Sequence, residues 1–185
     1  MKRIVTLLAF LLTVSGVAQA KDWVIDDAQS KLSFVGEQSG QKFEGGFKKY
    51  TAQISFDPDH PETGKISVVV DITSAYAGSA DRDAMLPQKG WFDYAHFPQA
   101  QFASTVIRQT GPGLYEVSAH LSIKGMTHDI TLPFSLAKEG DHWRASGKVT
   151  LLRNDFALGQ GEFAGEDYVK HAVDVNFDLI ATPKP

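Results

Sequence analysis

Residues 114–136 read LYEVSAHLSIKGMTHDITLPFSL, and their apolar positions recur at every second residue. Tyr115, Val117, Ala119, Leu121 and Ile123 share one side, against Glu116, Ser118, His120, Ser122 and Lys124 on the other. After Lys124-Gly125 the alternation resumes with Met126, His128, Ile130, Leu132, Phe134 and Leu136. A period of two is the mark of a strand with one face buried. A two-residue turn at Lys124-Gly125 sets Ile123 opposite Met126, Leu121 opposite His128 and Tyr115 opposite Phe134. All apolar side chains then fall on one continuous face, so turn and pattern agree. This hairpin decides the fold class.

The same pattern extends on both sides. Trp143, Ala145, Gly147, Val149 and Leu151 alternate with polar residues, as do Val173, Val175, Phe177 and Leu179. A loop at Glu139-Gly140 is expected to bring Phe134 opposite Ala145, Gly147 beside Leu132 and His128 opposite Leu151. Weaker alternation marks 31–37, 43–57, 65–73 and 99–109, giving eight candidate strands. Helical periodicity is nearly absent, which predicts an antiparallel all-β sheet closed into a single eight-stranded lipocalin-like barrel. If the strands run up and down in order, short turns near 58–64, 110–113 and 138–141 share one end. The other end holds the turns at 38–42 and 124–125, the loop 153–169 and the long connection 74–98. That connection is expected to carry short helical turns capped by Ser79, and long connections tend to be functional.

Fold reasoning excludes the first 20 residues. Lys2 and Arg3 precede an uncharged, largely apolar run from Ile4 to Val17, then Ala18-Gln19-Ala20. That is the form of a cleaved secretory leader, too short for a comfortable membrane span of about 20 apolar residues. Removing it leaves 165 residues with 16 basic against 22 acidic groups, a net charge of −6. An acidic single domain disfavours nucleic acid as a partner. Export implies an oxidising compartment, yet there are no cysteines. Disulfides, thiol nucleophiles, thiolate metal sites and a lipid-modified cysteine are all excluded. A periplasmic protein without stable membrane insertion is expected.

No nucleophile elbow, zinc helix or phosphate-binding glycine loop is present, and the six histidines show no ligand spacing. No catalytic or metal site is expected. His128 is exceptional in lying on the apolar face near the long-loop end; it reads as a locally hydrogen-bonded histidine or as a ligand contact. Arg82-Asp83 and Arg153 with Asp155 fall at the same end. They either anchor irregular backbone or meet a polar ligand head. The cluster Trp91, Phe92, Tyr94 and Phe97 reads as a barrel plug or a lid. Small inward residues (Ala52, Ser104, Ala119, Ala145, Gly147) leave room for an apolar lumen unless larger neighbours compensate.

Several motifs together resemble the YceI-like family of periplasmic polyisoprenoid-binding proteins. They are Asp81-Arg82-Asp83-Ala84-Met85-Leu86, Trp91-Phe92-Asp93, Phe97-Pro98, Phe102-Ala103-Ser104, the run Leu121 to His128, and Arg153-Asn154-Asp155-Phe156. The resemblance spans about residues 22–181. It implies a lipocalin-like barrel that holds a long isoprenoid chain, with no catalysis and no cofactor beyond that lipid. Expected lumen and lid contacts are Phe34, Phe92, Phe97, Phe102, Ala119, Leu121, His128, Phe134, Ala145 and Phe156. Arg82, Asp83, Arg153 and Asp155 are expected to meet the head or anchor loops, and Lys124 also stands near the mouth. The chain departs from the family pattern at Trp91, where a second Phe is common. It departs again at Ala157, where a Gly directly after the Phe is usual.

Two other readings remain open on pattern. Alternation alone does not say whether the apolar face points inward or toward lipid, so a small outer-membrane barrel is one. An enzyme acting on a lipid headgroup through His128 or the Asp83 and Asp155 carboxylates is the other.

Overall fold

The computed structural model describes residues 20–184, so all but Ala20 of the expected leader lies outside the described residues. Eleven strands build one sheet: β1 (Lys21–Ile25), β2 (Lys31–Gln38), β3 (Gln41–Phe47), β4 (Tyr50–Phe56), β5 (Lys65–Asp71), β6 (Ala75–Tyr76), β7 (Gln99–Gly111), β8 (Leu114–Ile123), β9 (Met126–Glu139), β10 (His142–Leu152) and β11 (Ala172–Pro183). From β7 to β11 each strand pairs antiparallel with the next, and β4 and β5 lead into β7. The barrel closes where β11 meets two strands. Its C-terminal end pairs with β1 (Ile25↔Ala181), and its N-terminal end with β2 (Val35↔Asp174). β1 then pairs with β4 and β2 with β3. β1 and β2 therefore share one place in the wall and β3 and β4 the next, which with β5, β7, β8, β9, β10 and β11 gives the eight-stranded antiparallel barrel expected. The strands β1 and β6 carry too few residues for alternation to reveal them.

The β8–β9 hairpin has the expected register, with Tyr115↔Phe134, Leu121↔His128 and Ile123↔Met126. Its turn residues Lys124 and Gly125 take φ of 50° and 76°, the paired left-handed geometry that twists with the strands. The next hairpin differs from expectation. Its loop is Gly140-Asp141, with Glu139↔His142, so Leu136 faces Ala145 and Phe134 faces Gly147. Gly140 takes φ 64° at the first loop position, which a glycine tolerates best. The slip is two residues, so every side chain keeps its face and alternation could not have detected it. The expected pair His128–Leu151 does not form, because the slip aligns Leu151 with Ile130, and the β9–β10 ladder itself ends at Gly147↔Phe134.

The apolar face points inward. Outside, Arg144 bonds Asp178 through its Nε at 2.7 Å, Lys148 bonds Asp174 at 2.9 Å, and His120 bonds Asp129 at 2.6 Å. A band of exposed, hydrogen-bonded charged and polar side chains is not a lipid-facing surface, so the outer-membrane reading does not hold. Two buried clusters stand at opposite ends of the barrel. One packs Phe56, Ile107, Tyr115, Val117 and Ala119 at the short-turn end. The other gathers Phe34, Ile72, Leu86, Phe92, Ala100, Phe156 and Leu158 under the long loops.

Candidate functional site: the barrel lumen and its cap

Between the two clusters lies a cavity of about 350 Å³, within the range of roughly 300–1,000 Å³ usual for small-molecule sites. Every strand except β6 contributes to its wall. The side chains are almost all apolar, from Ile54 and Phe102 at one side to Val149 and Phe177 at the other. Trp23 and Trp143 meet edge to face at 5.9 Å near the short-turn end. At the long-loop end the helix α1 (Ala80–Met85) follows its cap Ser79, whose Oγ accepts from the Arg82 amide at 3.4 Å. Leu86 and Phe92 from the same connection are buried over the lumen.

The cap is tied by backbone and by cations. Gly159 and Gln160 amides both donate to the Gly90 carbonyl, at 2.8 and 2.9 Å, joining the two long loops. Lys124 Nζ, at the hairpin tip, donates to the carbonyls of Lys89 and Ala157, both at 2.8 Å. Burial pushes this ammonium below its usual value, with Asp93 acting in the opposite direction.

Arg153 is 4% exposed and donates to six backbone carbonyls: Lys170, Leu158, Gly159, Phe163, Gly165 and Val169, between 2.6 and 3.2 Å. Its guanidinium also lies 5.7 Å over Trp91. All its donors are engaged, so it organises the loop after β10. Ala157 closes the turn at Arg153–Phe156 with φ 52°, a left-handed conformation that a glycine would adopt without strain.

Arg82 is differently placed. Its Nε donates to the Ala77 carbonyl at 2.6 Å, Nη1 reaches Gln38 Oε1 at 3.4 Å, and the guanidinium stacks 4.5 Å over Phe43. It lines the lumen and also an adjoining polar hollow formed with Gln38, Ser39, Gln41 and Lys42. Asp83 accepts from the Ala77 amide at 2.5 Å and so fixes the segment that Arg82 grips.

Of the residues singled out in the sequence, the structure brings Phe34, Phe92, Phe102, Leu121, Phe134, Ala145, Phe156, Arg82 and Arg153 into the cavity wall. The remaining ones stand elsewhere. Ala119 is 2% exposed within the short-turn cluster, opposite Ser104. Phe97 packs on the Lys124-Gly125 turn, where a Cβ on Gly125 would come within 2.9 Å of its ring. His128 contacts the Phe156 ring at 4.9 Å, and its Nε2 bonds the Asp155 carbonyl at 2.9 Å. Asp155 thus takes part through its backbone, and its side chain is exposed. Phe43 and Phe47 also line the lumen. The signal for Phe43 was Gly36, over which its ring lies so closely that a Cβ would be 2.6 Å away.

Comparison with known proteins agrees with this architecture. A relative from Pseudomonas savastanoi pv. phaseolicola, called UPF0312 protein, is 34% identical over 153 residues, covering 78% of this chain and 80% of its own. The solved structure of Burkholderia cenocepacia BcnA superposes with a TM-score of 0.83 at 34% identity, covering 86% of this chain and 100% of that one. A polyisoprenoid binding domain from Saccharophagus degradans matches in fold, with TM-score 0.67 at 16% identity over 89% of this chain and 99% of its own. The model of the YceI-like domain matches residues 23–181, and the chain belongs to that family.

Proposed function

We propose that this protein binds and carries a long-chain isoprenoid lipid in the periplasm, its tail in the lumen and its polar head beside Arg82. The observation that carries this reading is the cavity of about 350 Å³ walled by apolar side chains, with Arg82 facing both it and a polar hollow. Burying apolar ligand surface contributes about 25 cal/mol per Å², and a polyprenyl tail has no other shelter in water. The polyisoprenoid binding described for the Saccharophagus degradans domain supports the same ligand class. A polyprenyl phosphate and a prenylated quinone both fit, since Arg82 can donate to a phosphate oxygen or to a carbonyl. No side chain in the lumen is arranged as an activated nucleophile or an acid–base pair, so binding without turnover is the reading. The test is mass spectrometry of an organic extract from protein purified from periplasm without detergent. An isoprenoid recovered in near-stoichiometric amount supports it. No lipid recovered, together with no uptake of added polyprenol, refutes it.

A further inference from the structure

The barrel wall is interrupted on one side. The β8–β9 ladder runs unbroken to the hairpin tip, and the β10–β11 ladder runs to Leu152↔Ala172. Between them the β9–β10 ladder stops at Gly147↔Phe134. A Cβ on Gly147 would stand 2.5 Å from the Pro133 carbonyl oxygen, so that carbonyl faces β10. In an antiparallel strand the N–H and C=O of one residue point to the same side. The missing N–H of Pro133 is therefore missing on the β10 side, and the ladder loses its next bond there.

Beyond that point the two strands are held to their outer neighbours and not to each other. Lys148 and Thr150 on β10 both bond Asp174 on β11, at 2.9 and 2.6 Å. On β9, Asp129 bonds His120 at 2.6 Å and Thr127 bonds Ser122 at 2.7 Å, both toward β8. The contrast lies below, where Ser135 and Ser146 hydroxyls meet across the paired part at 3.0 Å. The gap is flanked by the lumen residues Ile130, Leu132, Val149 and Leu151. Met126 and Leu152, at its upper lips, are 41% and 46% exposed. Below the Lys124 bond at the hairpin tip, one side-chain hydrogen bond among the described residues crosses it, His128 Nε2 to the Asp155 carbonyl, backed by the Phe156 ring. Meanwhile the axial end is closed by the cap, whose two long loops are tied to each other at Gly90 and to the hairpin tip by Lys124.

We infer that the seam between β9 and β10 is the portal for the lipid tail, and that His128 with Phe156 latches it. The inference rests on the carrier reading above. A tail leaving sideways needs one hydrogen bond and one ring contact to open, whereas axial exit needs the Gly159 and Gln160 amides to leave the Gly90 carbonyl and Lys124 to release the Lys89 and Ala157 carbonyls. The apolar lips Met126 and Leu152 then receive the tail as it crosses.

The test staples the seam. Thr131 and Thr150 are exposed and face each other across it in the continued register, and the chain has no cysteine to interfere. The Thr131→Cys, Thr150→Cys variant is joined with a thiol-cleavable bis-maleimide after loading with dansyl-labelled geranylgeraniol. Release into acceptor vesicles is followed by fluorescence. The staple should slow release at least about tenfold with little change in equilibrium affinity, and cleaving it should restore the rate. The same staple at Arg108 and Glu116, a fully paired site, should change nothing, and His128→Ala should speed release severalfold. Unchanged release from the stapled, loaded protein would overturn the portal and leave the carrier reading standing. If unstapled protein binds no probe, the carrier reading itself fails, and the portal with it.

Discussion

Arg153 Nε donates to the Lys170 carbonyl at 3.0 Å, bridging the base of the loop that follows β10 while the rest of the same guanidinium fills that loop's interior. A buried cation that satisfies six carbonyls leaves all of them unpaired when it is removed, and each orphan costs about 1–3 kcal/mol unless water replaces it. Arg153→Met is therefore expected to lose more than about 3 kcal/mol in a chemical melt. Arg153→Lys should recover only part, because an ammonium lacks the planar fork. If Arg153→Met melted like the parent and lost only bound lipid, Arg153 would be a ligand group and not an organiser.

The turn that Arg153 opens ends on Ala157 in the left-handed region, at φ 52°. That conformation costs a non-glycine residue about 1–2 kcal/mol, offset in part by the greater freedom of glycine in the unfolded chain. Ala157→Gly should raise stability by up to about 1 kcal/mol, or roughly 2–4 °C in the melting temperature. A clear loss would show that the Ala157 methyl makes a contact worth more than the strain.

Lumen volume separates two alanines that alternation placed together. Ala145 lines the cavity, whereas Ala119 is packed in the short-turn cluster at 2% exposure. Ala119→Trp should overpack the core and cost about 1–3 kcal/mol or more. Ala145→Phe should keep its fold when stripped of lipid and lose lipid uptake. Equal loss of stability in both delipidated variants would mean that the lumen has no space to fill.

Tyr94 stacks on Phe92 in the cap, at 6.4 Å between rings, and burial, with Asp83 and then Asp71 adding to it, pushes its phenol up to about 12. In the unfolded chain it ionises near 10. Between those values the folded state binds more protons than the unfolded one. The contribution is therefore complete below about pH 10 and is lost as pH rises toward 12. Melting temperature should fall through that window, and Tyr94→Phe should flatten the fall. The remaining slope should come from Tyr50 and Tyr115, whose phenols burial also raises. An identical slope in Tyr94→Phe would place the alkaline sensitivity elsewhere.

Legibility from sequence followed the length scale of each feature. The pattern from Tyr115 to Phe134 carried the fold because a period of two, a two-residue turn and a shared apolar face constrain one another. The Gly140-Asp141 loop escaped because a slip by two preserves every face, and only the need for a positive φ at the first loop residue distinguishes the registers. Arg153 was legible as an important residue but not in its role, since its partners are main-chain carbonyls and leave no side-chain signature. Ala119 and Ala145 looked alike for a similar reason. Whether a small residue faces space or a neighbour depends on packing across the barrel, between strands far apart in the chain. The leftward turn at Ala157 was visible only as a departure from the family pattern.

The carrier reading is most directly tested by tryptophan fluorescence, because Trp23, Trp91 and Trp143, the three tryptophans of the chain, all line the cavity. Delipidated protein is titrated with a long-chain prenylated quinone, a quencher, with the tail-less quinone as control. Saturable quenching at one quinone per chain is expected, absent with the tail-less compound and abolished by Ala145→Phe. Quenching that never saturates, or that Ala145→Phe leaves untouched, would contradict an isoprenoid tail in the lumen.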